Sequence, residues 1–223
     1  MALPRPSKII CVGKNYLAHA RELGGEVPQK PLLFLKAPSS LLGVGEVVRL
    51  PQGAGRVDYE GEIGVVVGWR AKNLRESEAL SAVSGFVPLN DITARDLQRR
   101  DDQWSRAKGF DTFCPVGDPT PVGDLDPGAL EVITRVNGEV RQHGRSSDMA
   151  FSIPYLLAYI SRIMTLEPGD LVATGTPEGV GPLQHGDVVE VEIPGVGRVS
   201  NPVARDDEGW DWSEEDVSGV AGG

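Results

Sequence analysis

A chain of 223 residues, 40% hydrophobic and 24% charged, has the make-up of one globular domain with a sizeable core. Its net charge of -10 argues against a nucleic-acid surface, which needs clustered Lys and Arg. Much of the excess lies in Asp206, Asp207, Glu208, Asp211, Glu214, Glu215 and Asp216 near the C-terminus, so it says little about a substrate. Cys11 and Cys114 are too few for a disulfide framework or a thiolate zinc site and read as reduced packing residues. No apolar run approaches a membrane span and no signal-peptide core follows Met1, so a soluble, cytoplasmic protein is expected, with neither nucleic-acid nor membrane partners. The 28 glycines and 17 prolines imply many turns and hence a strand-rich architecture.

In chain order, Lys8 to Val12 predicts a first strand, stopped by Gly13. Asn15 is placed to cap a short helix from Tyr16 to Leu23, ended by Gly24-Gly25. His19 and Glu22, three apart, share a face of that helix, either as an exposed ion pair or as a working pair. Pro31 to Lys36 and Glu46 to Leu50 predict two further strands. Val57 to Val67 predicts one continuous strand in which Glu60 and Glu62 aim to the same side, where the apolar run begins. A solvated strand end fits that spacing, and so does a divalent cation that removes the repulsion between two buried carboxylates.

Glu76 to Val83 suits a short helix, and Ser84 to Leu89 is an apolar strand that delivers Asn90 and Asp91 at its end. Thr93 is placed to cap a helix from Ala94 to about Asp101, carrying Arg95, Asp96 and Gln98, and Gln103 to Asp111 reads as a loop around Lys108. Leu130 to His143 is a hairpin turning at Asn137-Gly138. Ser152 caps a helix with Pro154 near its start and Tyr155, Leu156, Tyr159, Ile160 and Ile163 along one side, apolar enough to fill a core that bent sheets wrap around. Leu171 to Ala173 leads into the glycine-rich Thr174 to Gly181, which is a plain turn or a cradle whose N–H groups hold a carboxylate. Val188 to Ile193 and Arg198 to Val203 close the chain as a hairpin, so the domain is taken as 1–203 and 204–223 as a mobile acidic tail.

Several short stretches stand in a telling order between about Ile9 and Val203. They are Gly13-Lys14-Asn15-Tyr16 with His19 and Glu22, Phe34-Leu35-Lys36, Glu60-Gly61-Glu62, Asn90-Asp91 before Ala94-Arg95-Asp96-Leu97-Gln98, Lys108-Gly109-Phe110, and Thr174-Gly175-Thr176-Pro177. Together they resemble the fumarylacetoacetate hydrolase family, nearest to its small single-domain acylpyruvate hydrolases and oxaloacetate decarboxylases. The resemblance implies an α+β, mainly β fold: a strongly bent mixed β-sheet rolled around a central helix, in a homodimer. It implies Glu60, Glu62 and Asp91 as ligands of a divalent cation, and His19 with Glu22 as a water-activating pair on a mobile lid. It also implies Lys108 as a catalytic group in contact with substrate, beside Gln98 and Thr176 as substrate contacts. One departure is Arg141-Gln142-His143-Gly144, where relatives often carry an acidic residue in place of the histidine. His143 is expected in a loop and His185 in a turn.

Three carboxylates make a hard, all-oxygen site that suits Mg²⁺ or Mn²⁺, with Ca²⁺ a further candidate, and disfavours zinc. A small 2-oxo acid could bind there, and cleavage next to its C3 would give a metal-bound pyruvate enolate. Hydrolysis of a 2,4-dioxo acid of the acylpyruvate or fumarylpyruvate type is the expected reaction, because the His19–Glu22 pair has a task in it. Decarboxylation of oxaloacetate, and isomerisation of 2-hydroxyhepta-2,4-diene-1,7-dioate in aromatic catabolism, would pass through the same kind of enolate. The alternative of a different class is a non-catalytic, metal-stabilised binding protein, against which Lys108 and the His19–Glu22 pair argue.

Overall fold

The computed structural model describes residues 5–18 and 28–207. In chain order the strands are β1 (Ile9–Gly13), β2 (Leu32–Lys36), β3 (Leu41–Leu42), β4 (Val48–Pro51), β5 (Val57–Tyr59), β6 (Gly61–Val67), β7 (Val83–Asn90) and β8 (Thr93–Ala94). Helices α1 (Arg95–Arg100) and α2 (Ser105–Gly109) lead to β9 (Cys114–Pro115), β10 (Thr120–Pro121), β11 (Glu131–Val136) and β12 (Glu139–Arg145). Helix α3 (Ile153–Ile163) precedes β13 (Leu171–Ala173), β14 (Gly181–Pro182), β15 (Val188–Ile193) and β16 (Gly197–Asp206).

Six strands form a mixed sheet in the order β10-β7-β6-β13-β1-β2, and five form a second in the order β12-β11-β15-β16-β4. The main core lies between them. Ile10 and Val12 of β1, Ile63, Val65 and Val67 of β6, and Val172 meet Leu156, Leu157 and Ile160 of α3 and Val191, Ile193 and Val199 of the second sheet. On the other face of the first sheet, Val66 packs with Ile9, Cys11, Leu89 and Cys114, both cysteines being free and buried. Burial on both faces is why β6 reads as a nearly unbroken apolar run. The result is the mainly β, mixed-sheet roll closed by a helix that the resemblance implied. Among the described residues no helix is long and apolar enough to cross a membrane.

Helix α3 starts as expected, with Ser152 Oγ accepting the Tyr155 N–H at 3.3 Å. Its buried side is Ile153, Leu156, Leu157 and Ile160, spaced as one helical face, whereas Tyr155 and Ile163 are exposed. Tyr155 stacks instead between Phe151 and Tyr159.

Other expectations are corrected by contacts that periodicity does not carry. Val57 to Val67 is two strands broken at Glu60, β5 in a three-stranded sheet with β14 and β8, and β6 in the six-stranded one. Thr93 caps nothing: it pairs with Asp58 in β8, its hydroxyl donates to the Asp91 carbonyl, and Ala94 takes the cap position of α1. The stretch around Lys108 contains helix α2 rather than a plain loop, and Glu76–Ala82 is a 3₁₀ helix. The helix expected after Asn15 lies mostly outside the described residues, and the contacts of the Asn15 side chain that are described are to other loops. This side chain donates to the Phe151 and Thr174 carbonyls and accepts the Phe151 N–H, tying loops together. His143 lies in β12, because the hairpin ladder runs on to Arg145, and its ring pairs with Glu131 at the surface. His185 does sit in a turn, where its Nδ1 accepts the Arg205 N–H at 3.3 Å. Finally, β16 continues past residue 203 to Asp206 by pairing in parallel with β4, up to Asp206↔Pro51, so the expected boundary falls inside a strand.

Candidate metal and substrate site

Glu60 lies where the chain passes from one sheet to another. Its N–H donates to Asn90 Oδ1 at 2.9 Å and its carbonyl accepts the Asp91 N–H at 2.8 Å. The next N–H, of Gly61, donates to Gln142 Oε1 at 2.9 Å. These side chains satisfy backbone groups that the broken ladder cannot. The register Gly61↔Asn90 brings the ends of β6 and β7 side by side. Glu60, Glu62 and Asp91 therefore converge, all buried, with one carboxylate oxygen of each within 4.8 Å of the others.

Cations surround two of the three. Lys108 Nζ donates to Glu60 Oε2 at 2.8 Å and to Asp91 Oδ2 at 2.6 Å. Lys36, fully buried, donates to the Ile92 carbonyl at 3.1 Å and places its ammonium 2.8 Å from Asp91 Oδ1, an ion pair by distance rather than an aligned hydrogen bond. Arg95 Nη2 lies 2.5 Å from Glu60 Oε1, and its Nε and Nη1 donate to Asp58 Oδ2 and Gln98 Oε1, each at 2.9 Å. Asp58 also accepts from Arg56 Nε at 2.7 Å. Burial alone would lower the Lys108 pKa, but Asp91 and then Glu60 outweigh it and hold the ammonium protonated above its ordinary range.

Glu62 differs. Its Oε2 accepts the Gly175 N–H at 2.7 Å, and among the described residues no Lys or Arg forms an ion pair with it. Burial pushes its pKa well above the ordinary carboxylate value, and the charges of Asp91 and Glu60 push it further. Gly175 has φ +100, and a Cβ there would come 2.8 Å from Asn15 Cβ, so this backbone approach needs glycine. The glycine-rich turn is thus a cradle for a carboxylate, and the carboxylate is the protein's own. A divalent cation fits this donor set: three hard oxygens at one point, one of them on a buried carboxylate with no ion-pair partner among the described residues.

A cavity of about 210 Å³ opens beside the triad. It is lined by Glu60, Glu62, Asp91, Lys108, Gln98 and Thr176, with Val12, Gly13, Lys14, Phe34, Arg95, Arg99 and Trp104. These six expected residues are therefore brought together, while His19 and Glu22 lie outside the described residues. Gln98 spends its carbonyl oxygen on Arg95, which leaves its amide donors for the cavity. Thr176 donates its hydroxyl proton to the Gly61 carbonyl and accepts from Gln142 Nε2, so that hydroxyl has only acceptor capacity left. Phe34 and Trp104 meet edge to face at 5.2 Å, and the Lys108 ammonium lies 4.8 Å from the Phe34 ring centre.

The sequence reading gives no role to Asp58 or Lys36 and none beyond the helix to Arg95. A signal for Asp58 exists, since Asp58, Glu60 and Glu62 alternate, with Arg56 and Arg95 at hand. Lys36 ends an otherwise apolar strand, where an ammonium needs a buried partner. Arg95 has no local signal, because its partners come from β5, Glu60 and its own helix at once.

A carboxylate triad with a captive lysine, buried at a seam between β-sheets beside a small cavity, defines a class of protein with the donors for a hard cation and room for a small anionic ligand. Residues 8–204 match the family model for the fumarylacetoacetate (FAA) hydrolase C-terminal domain, and the chain belongs to the fumarylacetoacetate hydrolase family, whose members are enzymes. An uncharacterised protein of Pyrococcus horikoshii is 51% identical over 209 residues, spanning 91% of this chain and 90% of its own length. The mitochondrial oxaloacetate tautomerase FAHD1 of Arabidopsis thaliana is 43% identical, across 89% of this chain and 92% of its own. Among solved structures, the fumarylpyruvate hydrolase of Pseudomonas aeruginosa, in complex with Mn²⁺ and pyruvate, superimposes with a TM-score of 0.84 at 30% identity, covering 92% of this chain and 99% of that one.

Proposed function

We propose that this chain is a divalent-cation-dependent enzyme acting on small 2-oxo acids through their enol forms, with enol–keto tautomerisation of oxaloacetate as its leading reaction. The observation that carries this reading is Lys108, a buried ammonium kept protonated against Glu60 and Asp91 in the wall of a small cavity. Glu60, Glu62 and Asp91 would hold Mg²⁺ or Mn²⁺, which supplies Lewis-acid stabilisation of negative charge on oxygen. Lys108 Nζ is the acid nearest the triad. It can donate a hydrogen bond to an oxygen where charge develops, while water delivers the proton that C3 gains on ketonisation and takes the enol proton. Gln98 offers amide donors to a substrate oxygen, and Phe34 with Trp104 limits access of water. A tautomerase, the activity named for the Arabidopsis relative, needs no more than these parts.

Hydrolysis of a 2,4-dioxo acid is the second reading. It is favoured by the likeness to the Pseudomonas hydrolase and by His19 with Glu22, which would activate the attacking water. Decarboxylation of oxaloacetate would draw on the same residues without a water nucleophile.

The test is a panel of oxaloacetate enol decay, oxaloacetate decarboxylation, and acylpyruvate and fumarylpyruvate cleavage, each with Mn²⁺ and after EDTA treatment. We expect accelerated enol decay that EDTA abolishes, Mg²⁺ or Mn²⁺ restores, and Glu60→Gln removes. His19→Ala should cut any hydrolysis by about 10² to 10⁴ and largely spare tautomerisation. A protein that accelerates nothing in the panel with cation present would refute the proposal.

A further inference from the structure

The cavity beside the triad has four cationic side chains in its wall: Lys14, Arg95, Arg99 and Lys108. Three of them are committed to carboxylates of the protein. Arg95 is held by Asp58 and Glu60, Lys108 by Glu60 and Asp91, and Arg99 by Asp96. Lys14 is half-buried, and among the described residues it has no carboxylate partner. Its backbone is also unusual, with φ +56, a left-handed conformation that a residue with a Cβ adopts at some cost.

The surroundings explain how that conformation persists. On one side β1 is fixed inside the six-stranded sheet and ends at Gly13, where an added Cβ would lie 3.2 Å from the Trp104 ring. On the other side Asn15 is fully buried and bonded to Phe151 and Thr174. The chain is thus pinned before and after Lys14, which turns a cationic residue into the wall of the cavity with a charge that no described carboxylate takes.

We propose that Lys14 is a specificity-determining residue that takes the second carboxylate of a dicarboxylic 2-oxo acid. The inference rests on the reading of this cavity as a 2-oxo acid site and adds the residue that would tell a diacid from a monoacid. A monoacid needs only the groups at the triad, whereas a diacid brings a further negative charge into a half-buried space and requires a cation that the protein has not already used.

Lys14→Met isolates the ammonium, because methionine keeps a Cβ and so the same backbone strain. Binding to the Mn²⁺-loaded protein is read by stopped-flow tryptophan fluorescence, Trp104 being in the cavity wall, with pyruvate and oxaloacetate as ligands. We expect Lys14→Met to weaken oxaloacetate about tenfold to a hundredfold, as loss of a charged hydrogen bond does, and pyruvate less than about twofold. Lys14→Arg should recover most of the oxaloacetate affinity. Equal losses for both ligands would show that Lys14 serves the protein's own charges, and no loss for oxaloacetate would show that it serves none; either overturns the proposal. If the wild-type protein binds neither ligand, the 2-oxo acid reading itself fails and takes this inference with it. Binding of both without discrimination by Lys14 refutes the inference alone.

Discussion

Gly61 separates the two glutamates, and the structure gives a reason why no larger residue belongs there. A Cβ at this position would lie 1.9 Å from Thr134 Oγ1 and 3.3 Å from both Thr134 Cβ and Val191 Cγ2. Thr134 is fully buried on β11, so it cannot swing into solvent to relieve the clash. Gly61→Ala should therefore cost about 1–3 kcal/mol, the usual penalty of overpacking. In a domain of this size that lowers Tm by roughly 2–12 °C, taking about 2–4 °C per kcal/mol. Among the described residues the hydroxyl of Thr134 has no hydrogen-bond partner, so Thr134→Ala should be mild by itself and should remove the closest contact. The double variant should recover most of the loss, with a coupling of about 1 kcal/mol or more between the two sites. Because Gly61 carries Glu60 and Glu62 on either side, Gly61→Ala should also weaken Mn²⁺ binding about tenfold or more in calorimetry. If Gly61→Ala costs the same with and without Thr134, the steric argument is wrong. If stability falls and Mn²⁺ affinity does not, the two glutamates do not form the cation site.

Glu62 supplies a pH test: with its folded pKa raised above the ordinary 4.5, stability of the EDTA-treated protein is fully present below that value and falls as pH rises toward the folded one. Mn²⁺ should remove this slope, Glu62→Gln should abolish it together with cation binding, and a melting temperature flat in pH without cation would refute it. Asp170 has the opposite sign. Burial pushes its pKa up, but hydrogen bonds from Lys8, Ser7 and the Glu167 N–H prevail and hold it down, so its contribution is present above the ordinary 3.8 and lost as pH falls through the lower folded value. Asp170→Asn should cost about 1–3 kcal/mol at neutral pH and flatten the acid limb of the stability curve, and an unchanged acid limb would count against the assignment. Asp58→Asn should loosen Arg95 and reduce 2-oxo acid binding about tenfold. The effect should largely vanish in a Gln98→Ala background if Asp58 acts through Arg95 on Gln98, and simple additivity would sink that route.

Legibility from sequence followed the range of the interactions. Strands β1, β7, β11, β13 and β15 were legible because burial imposes an apolar pattern on them, and the Asn137-Gly138 turn because positive φ at both positions selects those residue types. The break at Glu60 was hidden because nothing in β-branched patterning distinguishes one long strand from two that enter different sheets. What breaks it are Asn90 and Gln142, 30 and 81 residues away in the chain. The end of β16 was hidden for a similar reason, since parallel pairing with β4 is made by backbone groups that any sequence possesses. In the site, the acidic members were legible from spacing and resemblance, whereas their cationic partners were not. Arg95 carries no local sign of the carboxylates that meet it, and Lys36 at the end of an apolar strand signals only that a partner is needed, not which strand supplies it.

Those cations decide what the site can attract. Four buried carboxylates, Asp58, Glu60, Glu62 and Asp91, face three buried cations, Lys36, Arg95 and Lys108, which leaves one net negative charge. Arg56 is left out of this balance because its side chain is 50% exposed and screened by water. The deficit is felt most at Glu62, the carboxylate that none of these three cations pairs with. A single divalent cation turns one net negative charge into one net positive charge, a modest excess in a place where a large one would be costly. Without the three cations, the same four carboxylates and one dication would remain at two negative charges and repel an anionic ligand. Lys36, Arg95 and Lys108 thus convert an acidic cluster that could only hold a metal into a site that, once it holds one, can accept an organic acid. Lys14 then adds the further positive charge that a second carboxylate requires.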